Sequence, residues 1–198
     1  MKIMFKRSLI ILGTVVLLQG CAAAVVAGTA SAVTAANDRR TIGSQIDDNN
    51  IEIKASIAIS EVERLEKSAR VNAISVNGIV LLVGQVANQE MKNEAQITVE
   101  SIAGIRKIHN QLRIGSNIGI TTQTHDSWLT SKVKAQLLAT KDISSNNIKV
   151  VTENAEVYLM GLVSQDEANR AVNIARNVSG VERVVKVFEY IIPVRNNT

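Results

Sequence analysis

One cysteine and two histidines occur in 198 residues, and aromatic side chains make up only 3% of the chain. A single cysteine cannot close a disulfide within the chain, so stability must come from packing. His109 and His125 have no Cys, Asp or Glu around them at metal-ligand spacing. They read as surface residues, His109 on a strand and His125 in a connection between domains, and no metal or other cofactor is implied. The G-x-S-x-G motif is absent. Gly115-Ser116-Asn117-Ile118-Gly119 follows a strand without directly opening a helix, so it reads as linker rather than phosphate loop. The expectation is a protein that is not an enzyme. A charge excess is lacking as well. Of 22 Lys and Arg against 18 Asp and Glu, Lys2, Lys6 and Arg7 stand in an N-terminal leader without acids, which leaves 19 against 18. A nucleic-acid binder would keep a basic face in its folded part, so nucleic acid is not an expected partner.

The leader itself is informative. After its three basic residues, positions 9–18 form a run of ten apolar or small residues, followed at once by Leu18-Gln19-Gly20-Cys21. That run is too short to span a bilayer, which needs about 20 residues, and reads as a signal-peptide core. The tetrapeptide resembles the lipobox of bacterial lipoproteins. The resemblance implies cleavage before Cys21, with diacylglycerol on its thiol and an acyl chain such as palmitate on its amine. Ala22, where an Asp would retain the protein in the inner membrane, points to outer-membrane sorting. Residues 1–20 are thus read as signal peptide, and 21–46 as lipidated N-terminus and tether because no sustained periodicity runs from Ala22 to about Asn50; the alternative for this stretch is an edge element packed on the first domain.

The rest is an internal duplication. Asn77-Gly78-Ile79-Val80-Leu81-Leu82-Val83-Gly84 aligns with Asn154-Ala155-Glu156-Val157-Tyr158-Leu159-Met160-Gly161 at an offset of 77. Upstream, Ile51, Ala55 and Ile59 fall on Leu129, Val133 and Leu137, each series spaced by four as the buried stripe of a helix requires. Two β-rich stretches follow, 70–76 and 79–83, joined by Asn-Gly, a strong hairpin signal; the second copy has 148–152 and 156–160. A second helix starts near Asn88, and in copy two near Ser164, where Ser164-Gln165-Asp166-Glu167 reads as a capping box. Its apolar face is Ala168, Ala171, Val172, Ala175 and Val178. Gly104 and Gly180 stand where a left-handed residue would end that helix, and final strands run over 105–114 and 181–191. Asp126 or Ser127 is the expected N-cap of the first helix of copy two. The class is α+β, each copy running α-β-β-α-β with two helices on one face of a three-stranded mixed sheet. Domain 1 is placed at 47–115, a linker at 116–124, domain 2 at 125–193 and a tail at 194–198. The two copies are expected to pack as separate small cores on a short linker, Gly115 to Thr124, and at this size to support one another across an interface.

A helix, a strand ending in Asn-Gly, Val-x-Leu-x-Gly, a capped helix and Gly-Val-x-x-Val together resemble the BON domain. Ala155 departs from the Gly usual in the second hairpin. Two such domains behind a lipobox resemble the dual-BON outer-membrane lipoproteins. The resemblance implies binding of anionic, phosphatidylglycerol-like phospholipid through the second domain. It also implies anchorage in the outer membrane facing the periplasm, a part in membrane integrity, and enrichment at the division site. The residues agree in one respect: Trp128, Tyr158, Phe188 and Tyr190, the aromatics outside the leader, all lie in copy two. Trp128 and Lys132 fall about 40° apart on one flank of its first helix. The expected phospholipid site is Trp128, Lys132, Val133, Lys134 and Leu138. For Trp128 a second placement stays open, a staple folded back over the helix start. The alternative function is an adaptor docking on envelope proteins for barrel assembly or cell-wall remodelling.

Overall fold

A computed structural model of the chain describes residues 38–141 and 143–191. The leader, Cys21, most of the tether and the C-terminal tail lie outside the described residues. Copy one consists of α1 (Ile42–Glu61), α2 (Glu63–Ser68), β1 (Arg70–Val76), β2 (Ile79–Val86), α3 (Gln89–Glu100), β3 (Lys107–Asn110) and β4 (Arg113–Ile114). Copy two has α4 (Ile120–Ala139), a 3-10 turn at Ser145–Asn147, β5 (Ile148–Glu153), β6 (Glu156–Val163), α5 (Gln165–Arg176) and β7 (Arg183–Tyr190). In each sheet the middle strand pairs antiparallel with the strand before it and parallel with the strand after it. The α+β reading with mixed sheets holds.

Several boundaries differ from expectation, each for a local reason. The Thr41 side chain accepts the backbone N–H of Ser44, so α1 starts at Ile42, inside the stretch read as tether. Nor is Arg39 free: its guanidinium bonds both carboxylate oxygens of Glu167 at 2.7 and 2.9 Å, and its N–H donates to Asn147 Oδ1 at 2.9 Å. The supposed linker is helical from Ile120 on, and Asp126 lies in the middle of α4 rather than at its cap. Copy one's last strand breaks between β3 and β4. There Asn110 Oδ1 accepts the N–H of Leu112, its amide donates to Lys92 O, and Leu112 turns into the core at 2% exposure. Gly104 and Gly180 do have positive φ, 95° and 104°. They close a turn beyond the helix, however, since α3 and α5 are already capped at Ser101 and Asn177. The Ser164 capping box forms as expected.

The core has three parts. Ile51, Ala55, Ile59, Met91, Ala95 and Val99 of α1 and α3 pack on Val80, Leu82 and Val86 of β2. Leu129, Val133, Leu137, Ala168, Ala171 and Ala175 of α4 and α5 pack likewise on Val157, Leu159 and Val163 of β6. The alternate residues of the same strands point the other way. Leu81 and Val83 meet Tyr158 and Met160, with Val76, Ile79 and Val187 around them, in a third cluster shared by the two copies. Because strand side chains alternate, the order of layers is helices, sheet, sheet, helices. Gly84 and Gly161 permit this packing of strands: a Cβ would stand 1.8 Å from Arg70 O and 1.9 Å from Asn147 O.

Ion pairs run around the shared cluster. Glu153, nearly buried, accepts from Arg70 and from Gln85, each at 2.6 Å. Glu189 accepts from Asn77 and Arg106, and Glu52 from Lys149. In the centre, Tyr158 donates its hydroxyl to Glu156 at 2.8 Å. Burial, then that carboxylate, push the phenol well above its ordinary range.

Both hairpins have the same turn. Asn77 and Gly78 adopt φ 53° and 72°, and Asn154 and Ala155 φ 51° and 60°, the type I′ pattern. A buried helix carboxylate holds each turn. Asp48 accepts the N–H groups of Asn77 and Gly78, and Asp126 those of Asn154 and Ala155, all between 2.7 and 2.9 Å. Burial pushes the Asp48 carboxyl up. The bonds from Gly78, Ser75, Asn77 and Arg40 outweigh it and hold the carboxyl below its ordinary value.

Ala155 carries the left-handed cost that glycine avoids. Relief of that strain exceeds the extra chain entropy of glycine, so Ala155→Gly should stabilise the protein by about 0.5–1 kcal/mol, read as a higher urea midpoint at unchanged slope. The Arg39 guanidinium holds the Glu167 carboxyl at about 2, against an ordinary 4.5, with burial opposing and Ser164 assisting. A carboxyl depressed on folding contributes stability above its unfolded value that is lost as the pH falls through the folded one. The contribution is therefore complete above about pH 4.5 and gone near pH 2. Arg39→Ala should lower the urea midpoint at neutral pH and flatten its decline across that acid window.

Candidate functional site

The outward face of α4 is fixed by what its inner face does. Leu129, Val133 and Leu137 are 0–1% exposed. Asp126 grips the hairpin turn, and Thr130 donates to Thr152 at 2.7 Å. With 100° per residue, the direction opposite this inner stripe falls between Trp128 and Leu138, which are about 80° apart. Ile120, five turns before Leu138, shares its direction and stands about 27 Å along the axis from it. Ile120, Trp128 and Leu138 are 76%, 53% and 71% exposed. Three large apolar side chains thus form one ridge on the solvent side of a helix that cannot roll.

Trp128 and Lys132 come together as the spacing required: the ammonium nitrogen stands 4.5 Å from the centre of the indole. Such a cation over the face of tryptophan is attracted by the ring quadrupole. Lys132 also donates to Ser179 O at 3.1 Å, so its charge is held in place. His125, expected in a connection, is in the helix one turn earlier, its ring 5.8 Å from that of Trp128. Together with Ile120, Thr121 and Thr124 these two rings line a shallow open depression. The half-exposed indole rests against His125 on the helix surface and does not fold into the core.

The other expected site residues divide. Both Lys134 and Leu138 are exposed; Leu138 stands on the ridge itself, and Lys134 lies across it from Lys132. Val133 is wholly buried and is a correction: it belongs to the i, i+4 stripe that packs on the sheet, so it cannot touch a ligand on the outer face. Ile120 and His125 were missed. The 18-residue spacing from Ile120 to Leu138 was available in the sequence, but reading 116–124 as linker concealed it.

The same place in copy one is chemically different. Where copy two has His125, Trp128 and Lys132, copy one has Asp47, Asn50 and Lys54, and these line a polar groove of about 380 Å³ with Asn77 and Arg106. Among the described residues no group of three metal-ligating side chains converges, and no described helix is long and apolar enough to cross a membrane.

Comparison with known proteins agrees with the duplication. The chain is 41% identical over 186 residues to the outer membrane lipoprotein DolP of Haemophilus influenzae, covering 94% of this chain and 96% of the relative. It is 37% identical over 154 residues to a 21 kDa hemolysin of Actinobacillus pleuropneumoniae, covering 78% and 79%. It is 30% identical over 146 residues to osmotically-inducible protein Y of Escherichia coli, covering 72% of each. The BON domain profile matches twice, at residues 47–116 and 125–191, and the chain therefore belongs to the BON domain family, with two domains in tandem.

Proposed function

We propose that this protein is a lipoprotein of the outer membrane, facing the periplasm, that binds anionic phospholipid through α4 of its second BON domain and helps to keep that membrane intact. The observation that carries the reading is the Trp128–Lys132 pair on the outward ridge of a helix held rigid from behind. Tryptophan favours the membrane interface, where its ring is apolar and its N–H stays wet. A lysine near an anionic surface adds about 1 kcal/mol. Ile120 and Leu138 extend the apolar contact along the helix, and Lys134 adds charge at its edge. The helix lies on the bilayer by its outer face, and the protein acts by binding, without catalysis. The name of the Haemophilus relative and the Leu-Gln-Gly-Cys sequence support anchorage through acylated Cys21. Enrichment at the division site belongs to the same reading by resemblance.

The chain from Asn37 onward should bind vesicles rich in phosphatidylglycerol, and less well as salt is raised. Trp128→Glu should abolish that binding with an unchanged circular dichroism spectrum, and Lys132→Gln should weaken it about fivefold, the equivalent of 1 kcal/mol. Undiminished binding by folded Trp128→Glu would place the site elsewhere. Ile120→Ser and Leu138→Ser should each reduce binding; a loss at Ile120 alone would mean that the helix docks by its N-terminal end. For the anchor, three acyl chains at about 0.8 kcal/mol per buried CH₂ make detachment negligible. Cys21→Ala should accordingly leave the protein soluble or unprocessed on fractionation, and wild-type protein found mainly in the inner membrane would refute the sorting.

A further inference from the structure

Helix α1 has an outward face of its own. Ile42, Ile46, Ile53 and Ile57 are 69%, 56%, 50% and 53% exposed, and nothing among the described residues covers them. They fall within about 60° of one another, opposite the buried stripe of Ile51, Ala55 and Ile59. Ile97 on the adjoining α3 is 68% exposed and widens the same face. Isolated surface isoleucines are ordinary, but five on one helical layer form a patch of the kind that marks an interaction site.

The spacing of the stripe identifies what fits it. Its intervals of four, seven and four residues read the same in both directions about a centre between Asn49 and Asn50. In an isologous antiparallel helix pair residue i meets j while j meets i, so a stripe with that symmetry sets isoleucine against isoleucine at every level. Ile42 then meets Ile57 of a second helix and Ile46 meets Ile53. Asn49 and Asn50, both exposed, fall at the axis, where side-chain amides can donate and accept between identical partners. On one flank stand Asp47 and Lys54, also exposed and without an ion-pair partner among the described residues. In the antiparallel pair each comes beside the opposite charge of the other chain. The bilayer that α4 would meet cannot cover this stripe, because α1 and α4 occupy opposite outer layers of the fold.

We propose that the α1 stripe is a homodimer interface, an antiparallel α1–α1 pair whose twofold axis passes beside Asn49 and Asn50. One helix pair is a small contact by the standard of stable dimers. Association therefore depends on the raised local concentration of chains confined to one membrane plane, a confinement that rests on the proposed Cys21 anchor. The dimer leaves its two α4 ridges facing opposite ways, one toward the bilayer and one away from it.

Oxidative cross-linking of the full chain, expressed with its leader in a Gram-negative cell, tests this. Asn50→Cys and Asn49→Cys should each give a disulfide-linked dimer. The unsubstituted chain, whose one cysteine is Cys21, and Ser131→Cys on the outward face of α4 should give none. Adding Ile46→Glu at an unchanged protein level should remove the Asn50→Cys product. Asp47→Lys should weaken that product, and Asp47→Lys combined with Lys54→Asp should restore it. A product no stronger than that from Ser131→Cys, one indifferent to Ile46→Glu, or one joined to a protein of different mass would overturn the proposal. Vesicle binding by Trp128 variants is read separately, so either reading can fail without the other.

Discussion

Helices cover only one face of each small sheet, and in this protein neither sheet has a second face fit for water. β2 is buried at all eight positions, and β6 at every position except Leu162. Leu81 and Val83 on one side and Tyr158 and Met160 on the other close that second face against its counterpart. Units of about 70 residues are near the lower limit for independent stability, and a shared apolar layer is how such small cores are supported. Burial of Tyr158 brings a hydroxyl into that layer, and Glu156 accepts its proton bond, so the polar atom is not stranded. The carboxylates of Glu52, Glu153 and Glu189 then work at the rim, each bonded by a basic side chain from the other copy.

With the sheets facing one another, the helices are left as the two outer layers, and their rotation decides what the protein shows to its surroundings. Asp48 and Asp126 set that rotation. Each is a helix residue whose carboxylate is buried because it satisfies the N–H groups of a type I′ turn. The bonds are charge-assisted and directional, so the helix is indexed to the hairpin as well as packed on it. The arrangement is identical in the two copies, and the faces it presents are not. Lysine is retained at 54 and 132, while Asn50 and Asp47 stand where Trp128 and His125 stand in copy two. One scaffold thus offers a polar groove flanked by an isoleucine stripe on one outer layer, and an aromatic, basic ridge on the other.

A good deal of this was legible beforehand. The stripes at 51, 55, 59 and at 129, 133, 137 defined the inner faces of α1 and α4, because helical periodicity is local and survives without knowledge of the partner. The Asn-Gly hairpin and the Ser164 capping box were legible for the same reason, as turn and cap chemistry acts within four residues. The closeness of Trp128 and Lys132 followed from their spacing of four. Val133 was misplaced as a contact residue although its own periodicity put it inside. The start of α4 was lost because Gly115 to Gly119 looks like the beginning of a long linker, whereas the helix resumes directly after Gly119 without a side-chain cap.

The sequence by itself determined the duplication, the order of elements in each copy, the inner faces of α1, α4 and α5 and the pairing of Trp128 with Lys132. These depend on contacts between neighbours in the chain. Only the tertiary structure decided that the sheets pack face to face, that Arg39 reaches Glu167 across 128 residues, and that Asp48 and Asp126 are turn anchors rather than surface acids or caps. Those depend on which surfaces meet, and alternation along a strand marks two faces without saying what lies against the second. The directions in which α1 and α4 point belong to the same class. Each helix carries its apolar residues in its own sequence, but which of them remain in water is settled by the layer it occupies.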